Sequence, residues 1–364
     1  MKRLTSAGRG TRCRVHRLFN AVRAARTGRP AVEYIGIDVH KSESQICLLT
    51  EDGEILERRI ATRRERFAEV LGSRPRARIV LEATTESEWV ARCLEGLGHE
   101  VIVADPNYAP MYATRSRRVK TDRRDAQALM DACRLGAYRP THRTSDTQRK
   151  VRALLTTRET LVRARVRVIQ VLRALLRREG LRVGTGLSVN FSRRLAEVEL
   201  TPWLKPLVAP LCAVLESVNH ELASVDKALK QVVESDANVR RLCTVPGVGP
   251  VTAAAFVSTL DRVERFRRAH EVESYLGLVP REYSSGEKRV LGALTKAGNA
   301  RVRWLLVEAS WSVLRNRGEH TQHLRDWAGR VALRRASATV AMWRDQREFM
   351  SPKMLRSVHQ TVAA

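Results

Sequence analysis

From Tyr34 onward, short apolar runs alternate with charged, amphipathic stretches. Tyr34-Ile35-Gly36-Ile37-Asp38 reads as a short buried strand ending on an acid, and Gln45 to Thr50 reads as a second. Asp52-Gly53 is a hairpin turn signal, and Ile55 to Ala61 returns as a third strand. A charged helix over Arg64 to Gly72 follows. Next come a strand over Ala77 to Ala83, a helix over Glu86 to Gly96, a strand over Glu100 to Ala104 and a helix over Arg123 to Leu135. Three strands in a meander and then alternating helix and strand predict an α/β sheet of the ribonuclease-H type.

The period then changes. Leu154, Leu161, Val168 and Leu175 recur at heptad spacing, with Leu155, Val162, Ile169 and Leu176 beside them and arginines between. A second series runs Leu204, Leu211, Val218, Val225 and Val232, interleaved with Val208, Leu215, Leu222 and Leu229. This spacing predicts two long helices with coiled-coil character. Pro206 and Pro210 set the expected start of the second near Pro210. Two readings stay open, an antiparallel hairpin within one chain and an oligomerisation stalk. Beyond Asn238, helical text over Val251 to Leu260 and from Ala300 to about Leu314 brackets the turn Tyr283-Ser284-Ser285-Gly286. The expected fold class is thus α/β plus all-α. The divisions are a basic arm (1–32), an α/β metal-binding domain (33–140), a helical coiled-coil region (146–235), a mainly helical C-terminal domain (238–329) and a basic tail (330–364).

Charge narrows the function. Lys and Arg number 66 against 39 acids, a net +27, which a small-molecule enzyme has no use for but a polyanion partner explains. Nucleic acid fits better than a membrane surface, because no amphipathic anchor dominates and no apolar run reaches the length of a membrane span. Residues 1–32 are Arg-rich with no apolar block after them, so no secretory signal is expected. The cysteines, Cys13, Cys47, Cys93, Cys133, Cys212 and Cys243, form no C-x-x-C pair, which points to reduced thiols in a cytoplasmic protein.

Within this frame four acids carry candidate chemistry. Asp38 and Glu82 end two predicted strands, where open α/β sheets bind ligands, and Asp122 and Asp125 lie three apart at a helix start. Clustered carboxylates repel unless a cation sits among them, and oxygen-only ligands select Mg²⁺ or Mn²⁺. Alone, Asp122 and Asp125 read equally as an N-cap plus surface ion pairs, and a lone strand-end Asp38 says almost nothing. Gly247 and Gly249 form a Gly-x-Gly hairpin between helices that resembles the helix-hairpin-helix grip on a DNA backbone, or is a plain tight turn. Ser285 and Ser284 are turn residues that become nucleophile candidates only with cations nearby. Lys288, Arg289, Lys296, Arg301 and Arg303 supply them, or bind nucleic acid themselves.

The motifs Tyr34-Ile35-Gly36-Ile37-Asp38, Leu81-Glu82-Ala83-Thr84, Lys120-Thr121-Asp122-Arg123-Arg124-Asp125-Ala126, Val245-Pro246-Gly247-Val248-Gly249, Gly277-Leu278-Val279-Pro280, Ser285-Gly286 and Thr295-Lys296-Ala297-Gly298-Asn299 occur in that order. Together they resemble the insertion-sequence 110/1111 family of transposases, relatives of the Piv DNA invertases, over about Tyr34 to Arg317. The resemblance implies a RuvC-like domain whose Asp38, Glu82, Asp122 and Asp125 bind metal. It also implies a C-terminal transposase domain in which Ser285, rather than Ser284, attacks DNA and becomes joined to it. It further implies a composite site with the two domains from different subunits, a structured guide RNA that pairs with both DNAs, and dimers or tetramers. Thr85 stands where the family commonly has Gly, and residues 1–32 lie outside its pattern. The alternative is a RuvC-like nuclease or junction resolvase that activates water and forms no covalent intermediate.

Overall fold

The computed structural model describes residues 33–113, 121–283, 285, 290–316 and 318–333. The expected arm 1–32, nearly all of the tail 330–364, and Lys120, Ser284, Lys288 and Arg289 lie outside the described residues. The chain divides into two compact units, Met1–Arg143 and Thr144–Ala364. Among the described residues no helix is long and apolar enough to cross a membrane.

The first unit is built on a five-stranded sheet. Its strands are β1 (Tyr34–Val39), β2 (Glu43–Leu49), β3 (Ile55–Ala61), β4 (Arg78–Glu82) and β5 (Glu100–Ala104), in the order β3-β2-β1-β4-β5. The meander β1-β2-β3 is antiparallel, and β4 and β5 run parallel to β1. Helices α1 (Arg64–Leu71) and α2 (Ser87–Gly96) cover one face. There Ile35, Ile37, Ile79 and Leu81 meet Phe67, Leu71, Val90 and Leu94. Because strand side chains alternate, the residues between these point to the other face. That face is covered by α3 (Asp122–Leu135), whose Ala126, Leu129, Met130 and Cys133 pack on Cys47, Val80 and Ala104.

Gly36 governs how closely α3 approaches. A Cβ built there would stand 2.2 Å from both the Ala126 carbonyl oxygen and the Met130 nitrogen, so the helix backbone rests directly on β1. Thr121 caps α3, its hydroxyl accepting from the Arg124 N–H at 3.4 Å, and Gly136 ends it in the left-handed conformation (φ 69°).

The second unit joins the expected 146–235 and 238–329 segments through a shared core. Helices α4 (Asp146–Arg178) and α6 (Lys205–Ser235) form a hairpin. At its base Val151 and Leu155 meet Leu229, and at its tip Ile169, Leu172 and Leu176 meet Val208 and Leu215. The two helices are therefore antiparallel. Arg158 Nε binds Asp226 Oδ1 across them at 2.6 Å. Short helix α5 (Phe191–Ala196) closes the tip with Phe191 and Leu195. The intramolecular reading of the heptads accounts for this seam. One expectation is corrected: α6 begins at Lys205, not near Pro210. Pro206 sits in its first turn, where no N–H is needed, and Pro210 is carried inside the helix, where it removes the usual fourth-residue donor to the Pro206 carbonyl.

Helices α7 (Ala237–Leu242), α8 (Pro250–Leu260), α9 (Ala269–Tyr275), α10 (Ala300–Arg315) and α11 (Gln322–Leu333) and the small hairpin β6 (Pro280–Glu282) and β7 (Leu291–Leu294) complete the unit. Every residue of α8 from Thr252 to Leu260 is buried, as an apolar-all-round helix must be. Its C-terminal carbonyls are answered from α4, where Arg152 donates to Ser258 O at 2.8 Å and to Thr259 O at 3.2 Å. Asp261 ends it at φ 61°, and its carboxylate accepts from the Ser145 N–H and hydroxyl at 3.0 and 2.6 Å.

Candidate functional site

Strand parity brings the first two acids together. Asp38 follows Gly36 by two residues and Glu82 follows Val80 by two, and Gly36 pairs with Val80 in register. Both acids therefore sit at the carboxyl ends of adjacent parallel strands, on the face that α3 covers. The N-terminus of α3 adds Asp122 and Asp125 to the same face. Asp38 and Asp125 are 7% and 5% exposed, whereas the Asp122 side chain is 53% exposed. The Asp38 carboxyl is pushed above its usual range, first by burial and then by the charges of Asp125, Asp122 and Glu82, with His40 opposing. Glu82, Asp122 and Asp125 are thus each within electrostatic reach of Asp38.

Two further residues join them. Tyr112 donates its hydroxyl to Glu82 Oε2 at 2.6 Å. The His40 Nε2 lies 3.3 Å from Asp38 Oδ2 and 3.6 Å from Asp122 Oδ1. Among the described residues Asp38, His40 and Asp122 offer ligand atoms all within 4.8 Å of one another, a spacing one divalent ion can bridge. Sequence reading missed both residues. Tyr112 lies 30 positions from its partner, with no periodic link. His40 is two residues past Asp38, a nearness that meant something only once the turn after β1 was known. A buried carboxylate surrounded by like charge fits a cation and fits no anion. The cluster is a metal-site candidate by this chemistry.

In the second unit Ser285 is exposed in the connection between β6 and β7. The motifs around it are largely scaffold. Gly277 adopts φ 69°, and a Cβ there would stand 2.5 Å from the Ala297 nitrogen; one on Gly298 would stand 2.0 Å from the Tyr275 carbonyl oxygen. The two glycine motifs thus close backbone to backbone beneath the β6–β7 hairpin. Asn299 caps α10 by accepting from the Arg301 and Val302 N–H groups at 3.0 and 3.1 Å. Lys296 is exposed and left-handed (φ 55°).

Two of the cations expected at a phosphate have partners within the second unit. Arg303 is 8% exposed and donates to Leu276 O at 2.9 Å and Gly298 O at 2.6 Å, which locks the same glycine junction. Arg301 is half-buried and paired with Glu159 of α4. Gly247 and Gly249 lie between α7 and α8 and differ. Gly247 (φ 81°) lets the hairpin rest on α10, since a Cβ would stand 2.4 Å from the Ala309 carbonyl oxygen, whereas nothing lies within 4 Å of one on Gly249.

Comparison with known proteins gives these sites a lineage. Residues 35–179 match the DEDD transposase family of IS110 type, and residues 239–325 match the Transposase IS116/IS110/IS902 family. The protein y4rJ of Sinorhizobium fredii (strain NBRC 101917 / NGR234), which carries a transposase name, is 30% identical over 69% of this chain and 71% of its own length. The chain belongs to the IS110/IS1111 family of transposases. The transposase for insertion sequence element IS1111A of Coxiella burnetii (strain RSA 493 / Nine Mile phase I) is 28% identical over 90% of each chain. That for IS1328 of Yersinia enterocolitica is 29% identical over 86% of this chain and 93% of its own. As a member of this family the transposase acts on DNA, and both matched regions contain one of the residue groups described above.

Proposed function

We propose that this transposase cuts and rejoins DNA strands at a RuvC-like site in which Asp38, Glu82, Asp122 and Asp125 hold Mg²⁺ or Mn²⁺, with Ser285 as the nucleophile. The observation that supports it most is the convergence of four carboxylates on one face of the sheet, two from the ends of adjacent strands and two from the N-terminus of α3. A bound divalent ion would supply positive charge to a scissile phosphate. The chain's own residues do the rest. Asp38 and Glu82 are fixed by the central strands, Tyr112 orients the Glu82 carboxylate by its hydrogen bond, and the capped N-terminus of α3 carries Asp122 and Asp125. In the second unit, Ser285 is presented on a hairpin whose base is held by Gly277, Gly298 and Arg303. Attack of its hydroxyl oxygen on phosphorus would join serine to one DNA strand end as a phosphodiester and break the phosphorus–oxygen bond to the other, whose oxygen leaves as a hydroxyl with the proton the serine gave up to a base or solvent. The ester bond conserves the energy needed to rejoin.

The surplus of cations and the open backbone at Gly249 fit non-specific grip on a nucleic-acid backbone. A structured RNA encoded beside the gene would choose the partner DNAs, and the helical hairpin would serve assembly of dimers or tetramers. The test incubates protein, Mg²⁺ or Mn²⁺, RNA from the flanking sequence, and donor and target DNA. Recombinant junctions and a covalent protein–DNA adduct are expected. Ser285→Ala must lose both, and Asp38→Ala must lose joining. Cutting without any adduct in the wild type would instead mark a hydrolytic nuclease.

A further inference from the structure

The turn after β1 puts a nitrogen ligand among the acids. His40 Nε2 stands 3.3 Å from Asp38 Oδ2 and 3.6 Å from Asp122 Oδ1, so it straddles one acid from β1 and one from α3. Atoms that share one ion at about 2.1 Å stand about 3 Å apart in an octahedron and about 3.4 Å apart in a tetrahedron. The shorter separation comes within a few tenths of an ångström of both spacings, and the longer one of the tetrahedral spacing. A charge-assisted hydrogen bond would instead close on one acid at about 2.7–2.9 Å.

The backbone holds the ring in this place. His40 N–H donates to Glu43 O at 3.1 Å, and its carbonyl accepts from the Thr62 hydroxyl at 2.8 Å. That hydroxyl is itself 2.8 Å from Ser44 Oγ, a buried atom of β2. A short turn anchored to two neighbouring strands therefore aims the imidazole at the acids. The ring is 55% exposed, so ions in solvent can reach it.

We propose that His40 Nε2 is a third protein ligand, with Asp38 and Asp122, to one divalent ion of the site, and that it tilts this position from Mg²⁺ toward Mn²⁺. The inference rests on the reading of the four acids as a metal site. An all-carboxylate set suits the hard Mg²⁺ ion, whereas imidazole suits transition ions, so one nitrogen in the set changes which ion competes best.

The test is binding rather than activity. Full-length protein is titrated with Mn²⁺ and followed by loss of the free-ion electron paramagnetic resonance signal. The bound ion is then examined by pulsed methods for coupling to nitrogen. Wild type should bind Mn²⁺ with a directly coordinated nitrogen. In His40→Ala that coupling should vanish and Mn²⁺ binding weaken about tenfold or more, since even partners one step removed from a metal are worth about 10–100-fold. Mg²⁺ binding, followed by calorimetry, should weaken less. His40→Gln, which keeps the side-chain bulk and the turn, should match the alanine variant. Bound Mn²⁺ without nitrogen coupling in the wild type, or Mn²⁺ binding as tight or tighter in His40→Ala, overturns the ligand assignment and leaves His40 a mere counter-charge. A wild type whose Mn²⁺ binding is absent, or survives Asp38→Asn, sinks the metal-site reading and this inference with it.

Discussion

Gly36→Ala is the sharpest probe of how the acids are assembled. The glycine lies two residues before Asp38, under the helix that carries Asp122 and Asp125. An alanine methyl would meet the Ala126 carbonyl oxygen and the Met130 nitrogen, both at 2.2 Å and both backbone, so no side-chain rotation relieves it. To reach ordinary contact near 3.4 Å, the helix must retreat by about 1.2 Å. Forced overpacking of this kind costs about 1–3 kcal/mol. For a unit of this size that lowers its melting temperature by roughly 3–9 °C. The retreat also separates the two helix acids from Asp38 and Glu82. Misplacement of about 1 Å is enough to reduce a reaction rate by about 10²-fold. The assay pairs thermal unfolding with Mn²⁺ binding and strand joining on the same preparations. Gly96→Ala is the control, because a Cβ there meets nothing within 4 Å. If Gly36→Ala melts with the wild type and joins DNA at its rate, the close helix–strand approach does not set the site. If it melts lower but joins normally, the glycine serves stability alone.

Other outcomes follow from the same geometry. Asp38 has a folded pKa above its ordinary value, so its ionised form is disfavoured in the fold. In chelator, Asp38→Asn should therefore melt higher than wild type at neutral pH, and added Mn²⁺ should no longer stabilise it; a lower melting point would contradict the charge-crowding account. Arg303→Met should lower the melting point of the second unit by leaving the Leu276 and Gly298 carbonyls unanswered, a loss of about 2–4 kcal/mol. The salt dependence of DNA binding should stay unchanged, and a shallower slope would restore Arg303 to the phosphate-contacting set. The Cys47 and Cys133 thiols are both pushed up to about 12, chiefly by burial, so neither should react with a thiol reagent at neutral pH until the protein unfolds. Because these folded values exceed that of a free thiol near 9.0, their contribution to stability is complete below about 9 and fades from there toward about 12, readable as a falling denaturation midpoint.

Periodicity and parity carried much of this protein in the sequence alone. Apolar runs of strand length located the five strands within a residue or two. That Asp38 and Glu82 end their strands was legible, because strand length is a local property, whereas their shared face needed the register that pairs Gly36 with Val80. The Asp122 and Asp125 pair was legible for the same reason, from helix spacing and an N-cap. What lay beyond reach was every fact about which surfaces meet. The heptads were plain, yet only the packing of Val151 and Leu155 on Leu229, and of Ile169 and Leu172 on Leu215, decided that the seam closes within one chain. Arg301 and Arg303 read as free cations near a turn, because arginine there has no local signature of its partners. Glu159 from α4 and the carbonyls of the glycine junction, which tertiary packing brought to them, gave them structural roles. His40 and Tyr112 entered the site in the same way, through a turn and a through-space contact that no periodic pattern encodes. Local backbone geometry writes itself into residue spacing, whereas the partner of a side chain is fixed only when distant surfaces close on each other.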